Sequence, residues 1–532
     1  MKEIKELKLE ELTLEQKIGM TMCGHIYNHW DDKLDEEHMI YAINMIKERK
    51  LGAIWVDPGF KRFDEAMKLV KETADYPILI FTDAETGFGP DKIGKHNAIG
   101  MAGSEELAYI FGKVTGTRAR KAGYNFVCNP VVDMVSANCM CNTTMRSMGG
   151  DKEQVTRLAA AEIRGMHDAG VLSVCKHYPG AHGDDPVDSH MVEGFSSETK
   201  EDLLDYAVYP YVELIKQGLL DGIMTGHYRL PNIDPDYPAS LSEKVIGIIR
   251  EQGFDGVAIT DALPMMGIVA KFGKIDCNGL AIQGGNDLAL TWSENKFCYE
   301  AMISCYERGI LTDDKLNVAA QRVLDAQHKT TLVGEVVELT EEELALYKQI
   351  DALGICAVTD EGLEYSVDKN ARHYIGVQYP NGSVDAHGKI IVDTFTNVWY
   401  NPEKIVKQLE ATFPNSKILL MNEFPSSTDN WHLVNDNVDY DDVVIISFMD
   451  GKAYQGEETF SGRFVTAIKA MQKTDRVSAI LHFGNPFPLE DLPHIPRVIM
   501  GGQSEKAVVA GIKALAGEGP ANGKMTYDVK LK

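Results

Sequence analysis

The sequence predicts a (β/α)₈ barrel followed by a smaller α/β domain. Two observations carry that expectation. Up to about residue 330, short apolar runs alternate with amphipathic stretches of helical period in about eight units, the rhythm of parallel strands joined by crossover helices. The residues that end those runs are also polar in turn: Asp83 and Glu85, Asn129 and Asp133, Lys176 and His177, His227, Asp261, then Trp292. In such barrels the chemistry sits on the loops after the strands, so six strand ends offer ligand-facing groups to one face.

Taken in order, the candidate strands are Thr21–Tyr27, Gly52–Val56, Ile78–Thr82, Tyr124–Cys128, Val171–Cys175, Gly222–Thr225, Gly256–Thr260 and Asp287–Leu290. Helical patterns between them include Glu37–Arg49, Glu105–Ala122, Lys152–Ala169, Glu201–Gln217 and Asn295–Arg308. The acidic run Val333–Lys348 breaks the rhythm. It divides the chain into a barrel over 1–335, a linker over 336–348 and a second domain over 349–532. In the second domain, strand-like runs fall at Ile355–Val358, Tyr374–Val377, Lys389–Val392, Ile418–Met421, Val443–Phe448 and Ser478–Phe483. Helical patterns fall at Pro402–Thr412, Gly462–Gln472 and Glu505–Ala516.

Composition narrows the class of function. The 532 residues are 44% hydrophobic and 25% charged, with a net charge of −26, which argues against nucleic acid or an anionic membrane as partner. The N-terminal stretch is charged and amphipathic rather than a signal peptide, and no apolar run approaches the ~20 residues of a membrane span. Nine cysteines, mostly in apolar runs such as those of Cys128, Cys175 and Cys356, read as buried thiols of a reducing compartment. The expectation is a cytoplasmic protein. Cys139 and Cys141 have no second pair, which argues against zinc. Gly87-Phe-Gly89 lacks the third glycine of a dinucleotide loop. No cofactor and no metal are expected.

The densest cluster of reactive side chains runs from Val174 to His190, VCKHYPGAHGDDPVDSH. Its polar residues follow an apolar run and so read as a loop past a strand's end, punctuated by Pro179, Gly180, Gly183 and Pro186. Asp188-Ser189-His190 sets a carboxylate two residues from an imidazole. In a loop the carboxylate can bond one ring nitrogen and leave the other to exchange a proton near neutral pH. Asp188 and His190 alone are a common surface pairing. Asp261, at the end of a fully apolar run and followed by Pro264, is better placed as a ligand or catalytic group than as a helix cap. A carboxylate and a separate proton donor on one barrel face are the minimal kit of retaining glycoside hydrolysis. Lys176, His177 and Arg146 add donors suited to sugar hydroxyls.

The segments Lys176-His-Tyr-Pro-Gly180 and Asp188-Ser-His190 resemble glycoside hydrolase family 3, in its β-N-acetylglucosaminidase (β-N-acetylhexosaminidase) branch. The resemblance continues through Asn129-Pro-Val-Val-Asp133, Arg146-Ser147, Pro238–Ser242, Gly253–Val257, Ile259-Thr-Asp261 and Gly284–Asp287, and reaches Gly484-Asn-Pro486 and Gly523-Lys524 in the tail. It implies a TIM-like barrel followed by an α/β sandwich, and an exo-acting retaining hydrolase that removes a terminal β-linked N-acetylhexosamine. Asp261 would be the nucleophile, and His190, paired with Asp188, the acid/base. Asp83, Arg146, Lys176 and His177 would hold the sugar, and His227 joins them on the same face.

The sequence departs from that family at three places: Ala181 stands before His182, Ala262 follows the nucleophile where a second Asp is usual, and Asp83-Ala-Glu-Thr-Gly87-Phe-Gly89 lacks an arginine. Three other readings compete. One is a β-glucosidase or β-xylosidase with a glutamate acid from the second domain, for which Glu457 and Glu458 are the candidates. Another is a metal-dependent barrel hydrolase, although the first strand carries one histidine, His25, and no His-x-His. The third is a non-catalytic sugar-binding protein. The partner expected is a small carbohydrate, with no nucleic acid and no membrane.

Overall fold

The computed structural model describes residues 4–26, 35–137, 139, 143–180, 184, 187–291, 295–334, 336–379, 383–384, 390–391, 401–449 and 459–532. The chain forms two compact units. The first comprises 1–90, 108–134 and 155–344; the second comprises 91–107, 135–154 and 345–532. Two segments that a linear reading puts inside the barrel span, 91–107 and 135–154, thus cluster with the second unit. Where a linker was drawn, a helix starts at Glu341 and runs to Leu353.

The first unit is built on eight short strands: β1 Met22–His25, β2 Ala53–Trp55, β3 Leu79–Thr82, β4 Phe126–Val127, β5 Leu172–Tyr178, β6 Gly222–Thr225, β7 Val257–Thr260 and β8 Ala289–Leu290. They pair in parallel in the order β7-β6-β5-β4-β3-β2-β1-β8. A parallel bridge between Ile259 and Leu288 joins the two ends, and Thr260 N–H donates to the Leu288 carbonyl at 3.0 Å. The sheet therefore closes on itself and has no free edge. Every strand residue is buried. Leu79, Phe81, Phe126, Leu172, Val174, Val257 and Ile259 fill the barrel interior. A second apolar layer, with Ile54, Ile80, Val127 and Ile282, lies between strands and helices. This double burial is why the strands read as continuous apolar runs and not as alternating ones.

Two local readings change. The expected helix Glu201–Gln217 is two helices, Lys200–Asp205 and Tyr209–Lys216. Pro210 lies in the first turn of the second, where a missing N–H costs nothing, and cannot continue a helix begun upstream. Strand β5 does not stop at Cys175. It runs on through Lys176 and His177 to Tyr178, so these two residues sit on the strand and not in a loop beyond it.

The second unit has six strands: β9 Cys356–Thr359, β10 His373–Tyr379, β11 Lys417–Asn422, β12 Asp442–Met449, β13 Val477–Gly484 and β14 Arg497–Gly501. Their order is β9-β14-β13-β12-β10-β11, with only the β9–β14 pair antiparallel. One face packs on Leu433, Phe464 and Ile468, the other on Ile405, Leu409, Val508 and Ile512. The sheet thus lies between two helix layers, an α/β sandwich. Strand β14 had no counterpart in the expected set. The expected run at 389–392 is present as Ile390–Ile391, paired with Ser383–Val384 in a separate two-stranded sheet.

One stability prediction arises from the barrel's outer helices. Gly247 lies inside the helix Glu243–Glu251, and a Cβ there would meet nothing within 4 Å. Gly247→Ala is expected to raise the unfolding free energy by roughly 0.5–1 kcal/mol, read as a higher urea midpoint at unchanged slope. A lower midpoint would contradict the open packing assigned to this position.

Candidate active site

The carboxyl ends of β3, β5, β6 and β7, with the loops after them, bring together most of the residues expected from the sequence. Lys176, on β5, is almost fully buried, and its ammonium lies 2.5 Å from Asp83 Oδ1 and 2.6 Å from Glu85 Oε1. A buried cation needs such partners. The Asp83 side chain is still 47% exposed, so a ligand can reach its carboxylate. Glu85 was visible in the sequence as a strand-end acid but had no role there; it completes the lysine's ion pairing.

The next residue, His177, is fixed by Asp133. Its Nδ1–H donates to Asp133 Oδ2 at 2.7 Å, and its backbone N–H donates to Oδ1 at 2.9 Å. Both oxygens of a fully buried carboxylate thus accept from one residue, which sets the ring's tautomer and its orientation. Asp133 is a second partner that sequence reasoning left without a role, although it closes the Asn129–Asp133 motif.

His190 repeats this arrangement. Asp188 Oδ1 accepts from His190 Nδ1 at 2.7 Å and from its backbone N–H at 3.0 Å. The Asp188 side chain is 1% exposed and that of His190 is 20% exposed, so the orienting acid is dry and the imidazole reaches solvent. With Nδ1–H given to a carboxylate, proton exchange falls to Nε2.

His227 is held differently. Its Nε2–H donates to the Ala262 carbonyl at 3.0 Å, and its Nδ1 accepts from Ser240 Oγ at 2.7 Å. A carbonyl accepts only, so Nε2 carries a hydrogen. Burial pushes its pKa below the ordinary histidine value, against the pull of Asp261. Both nitrogens are used within the protein, so any contact with a ligand runs through the ring face or edge.

Asp261 follows β7. Its backbone N–H donates to the Thr225 carbonyl at 2.8 Å, and its Oδ1 accepts from the Ala262 N–H at 2.7 Å. Burial pushes its carboxyl pKa up; the His177, His227 and His190 imidazoles and the Ala262 N–H outweigh that and hold it at about 2. The group is an ionised carboxylate at any neutral pH.

The loop bearing His190 is tied to the loop bearing Asp261. Met266 N–H donates to the His190 carbonyl at 3.0 Å, and Gly267 N–H donates to the Ser189 carbonyl at 3.2 Å. Farther along, Gly194–Phe195 pairs with Tyr228–Leu230, which continues from β6. The dyad is thus anchored to two neighbouring strand ends. Gly267 permits the close approach: a Cβ there would lie 2.4 Å from the Ser189 carbonyl oxygen and 2.8 Å from that of Val192. Gly267→Ala must push the two loops apart and is therefore expected to lower turnover by about 10–100-fold, since a misplacement of ~1 Å can cost about 10²-fold. Near-normal kcat in that variant would show that the clasp does not position His190.

Arg146 lies in the segment 135–154, within the second unit, and the constellation above is formed by the first unit alone. His182, Trp292, Glu457 and Glu458 lie outside the described residues, as does Cys141. Among the described residues no three His, Cys, Asp or Glu side chains are grouped so as to hold a metal ion. No described helix is long and apolar enough to cross a membrane.

Residues 41–326 match the glycosyl hydrolase family 3 N terminal domain. Beta-hexosaminidase LpqI of Mycobacterium tuberculosis is 35% identical over 188 residues, which cover 34% of this chain and 47% of that protein; the match spans about half of that relative's length. A beta-hexosaminidase of Tolumonas auensis is 30% identical over 234 residues, covering 42% of this chain and 69% of its own. Among solved structures, a glycoside hydrolase family 3 beta-N-acetylglucosaminidase from Paenibacillus is similar over 98% of this chain and 100% of that one, with a TM-score of 0.77 and 25% identity. Matched over more than half its length by one family, the chain belongs to glycosyl hydrolase family 3.

Proposed function

We propose that the protein is an exo-acting retaining glycoside hydrolase that releases a terminal β-linked N-acetylglucosamine or related N-acetylhexosamine. The observation that carries this reading is the pairing, on one barrel face, of a carboxylate held ionised with an imidazole fixed at Nδ1 by a buried aspartate. Asp261 attacks the anomeric carbon as the bond to the leaving oxygen breaks, and His190 Nε2 gives that oxygen its proton. Water then loses a proton to His190 and attacks the same carbon, and Asp261 departs. Asp83, Lys176 and His177 hold the sugar, with His227 as a wall beside Asp261. The names of the similar proteins support the choice of sugar. All eight described cysteines are buried thiols, which supports a reducing, cytoplasmic location.

The test is turnover of a panel of aryl β-glycosides, namely the N-acetylglucosaminide, the glucoside and the xyloside. The N-acetylglucosaminide should be cleaved with the highest kcat/KM and with retention at the anomeric carbon. Preference for the glucoside, or inversion, would defeat the reading.

A further inference from the structure

Oxidisable sulfur is spread unevenly over the first unit. The described cysteines are all buried. Burial pushes the pKa of the Cys128, Cys175 and Cys277 thiols up, away from the thiolate that reacts with oxidants. The described methionines are buried as well, except Met525, which is half-buried, and Met191 and Met266, which are 39% and 52% exposed.

Both exposed methionines border the clasp between the His190 and Asp261 loops. Met266 N–H is one of its two donors, 3.0 Å from the His190 carbonyl oxygen. Met191 follows that carbonyl directly, and its own N–H donates to the Asp188 carbonyl at 2.9 Å. The two thioethers therefore branch from the two segments that this hydrogen bond joins. Each side chain is also partly covered by protein, so its apolar contacts help to hold the loops in place. A sulfoxide is polar and hydrated, and it exchanges those contacts for water.

We propose that Met191 and Met266 form the protein's hydroperoxide-reactive site, and that their oxidation opens the clasp that positions His190. With hydrogen peroxide, the thioether sulfur attacks one oxygen and the O–O bond breaks. The sulfur keeps that oxygen as a sulfoxide, and the other leaves as water with both hydrogens. Sulfur loses two electrons and the peroxide gains them. Only the effect on turnover rests on His190 as the acid/base; the site of oxidation and the opening of the clasp do not.

The test treats the full chain with hydrogen peroxide at neutral pH. By peptide mass, sulfoxide should form at Met191 and Met266 ahead of the buried methionines. Hydrogen exchange at the Met266 and Gly267 amides, the two clasp donors, should then rise. Cleavage of a glycoside with an alkoxide leaving group should fall by about tenfold, and that of an activated aryl glycoside by much less, because His190 is displaced while Asp261 is not. Methionine sulfoxide reductases should reverse all three changes. The Met191→Leu/Met266→Leu chain, compared with its own untreated state, should show none of them. Faster exchange with an unchanged leaving-group ratio would support the proposal and count against His190 as the acid/base. Sulfoxide forming first at buried methionines would overturn the proposal. So would full oxidation of Met191 and Met266 with exchange at 266–267 unchanged, whether or not the double variant folds.

Discussion

Asp261→Ala is expected to lower kcat by on the order of 10³-fold or more, because on the proposed mechanism the covalent step loses its nucleophile. The loss should appear in both kcat and kcat/KM, since the interaction removed is made as the bond forms and not on binding. The environment of the carboxyl adds a pH prediction. Because burial is outweighed by the surrounding imidazoles and the Ala262 N–H, the group titrates near 2, below the ordinary value of 3.8. It is ionised, and competent, at every pH above that. Any acid limb of kcat/KM met between pH 4 and 7 must therefore belong to another group, and only near pH 2 should protonation of Asp261 itself contribute. Linkage runs the same way: its ionisation stabilises the fold above the ordinary carboxyl pKa, and that contribution is lost as pH falls towards 2. Near wild-type turnover in Asp261→Ala, or a trapped glycosyl-enzyme mapped to a different residue, would remove the assignment.

Much of this site is legible in the sequence because barrel strands are short apolar runs and their polar successors stand out. Asp261 is the clearest case: a buried strand precedes it and a proline follows. The Asp188–His190 pair is legible for a different reason, since both partners lie within one turn of chain. What remains hidden is the set of partners that meet only through the fold. Glu85 and Asp133 are far in sequence from Lys176 and His177, and nothing in their local context says that each spends its charge on a β5 residue. Ser240, which takes the second nitrogen of His227, is hidden in the same way. The extent of β5 is misread because Lys176 and His177 look like the end of a strand. A charged residue can occupy a barrel strand when its head is paired, as Lys176 is by two carboxylates. The membership of 91–107 and 135–154 is hidden too, since periodicity reports local structure and not which core a segment joins.

His190→Ala gives the other large effect, and its pattern matters more than its size. General acid catalysis contributes about 10²–10⁴-fold where the leaving group needs a proton. Glycosides with alkoxide leaving groups should therefore be cleaved very slowly. An activated phenolic leaving group departs without help, so formation of the glycosyl-enzyme should be almost unaffected. Its breakdown then becomes slow, because no base takes the proton from water, and a burst of phenol should precede a low steady rate. Azide needs no deprotonation and should restore turnover, yielding the glycosyl azide. Asp188→Asn should give a weaker version of the same pattern. It keeps the side-chain volume but removes the charge that orients Nδ1–H at 2.7 Å and stabilises the imidazolium. Gly267→Ala, which moves the same loop without touching the ring, should slow poor leaving groups more than good ones, a weaker form of the His190→Ala pattern. If His190→Ala instead slows both kinds of leaving group equally and azide has no effect, His190 is not the acid/base. Glu457 and Glu458 would then be the residues to replace next, and an imidazole held by a buried carboxylate beside an ionised Asp261 would need another role.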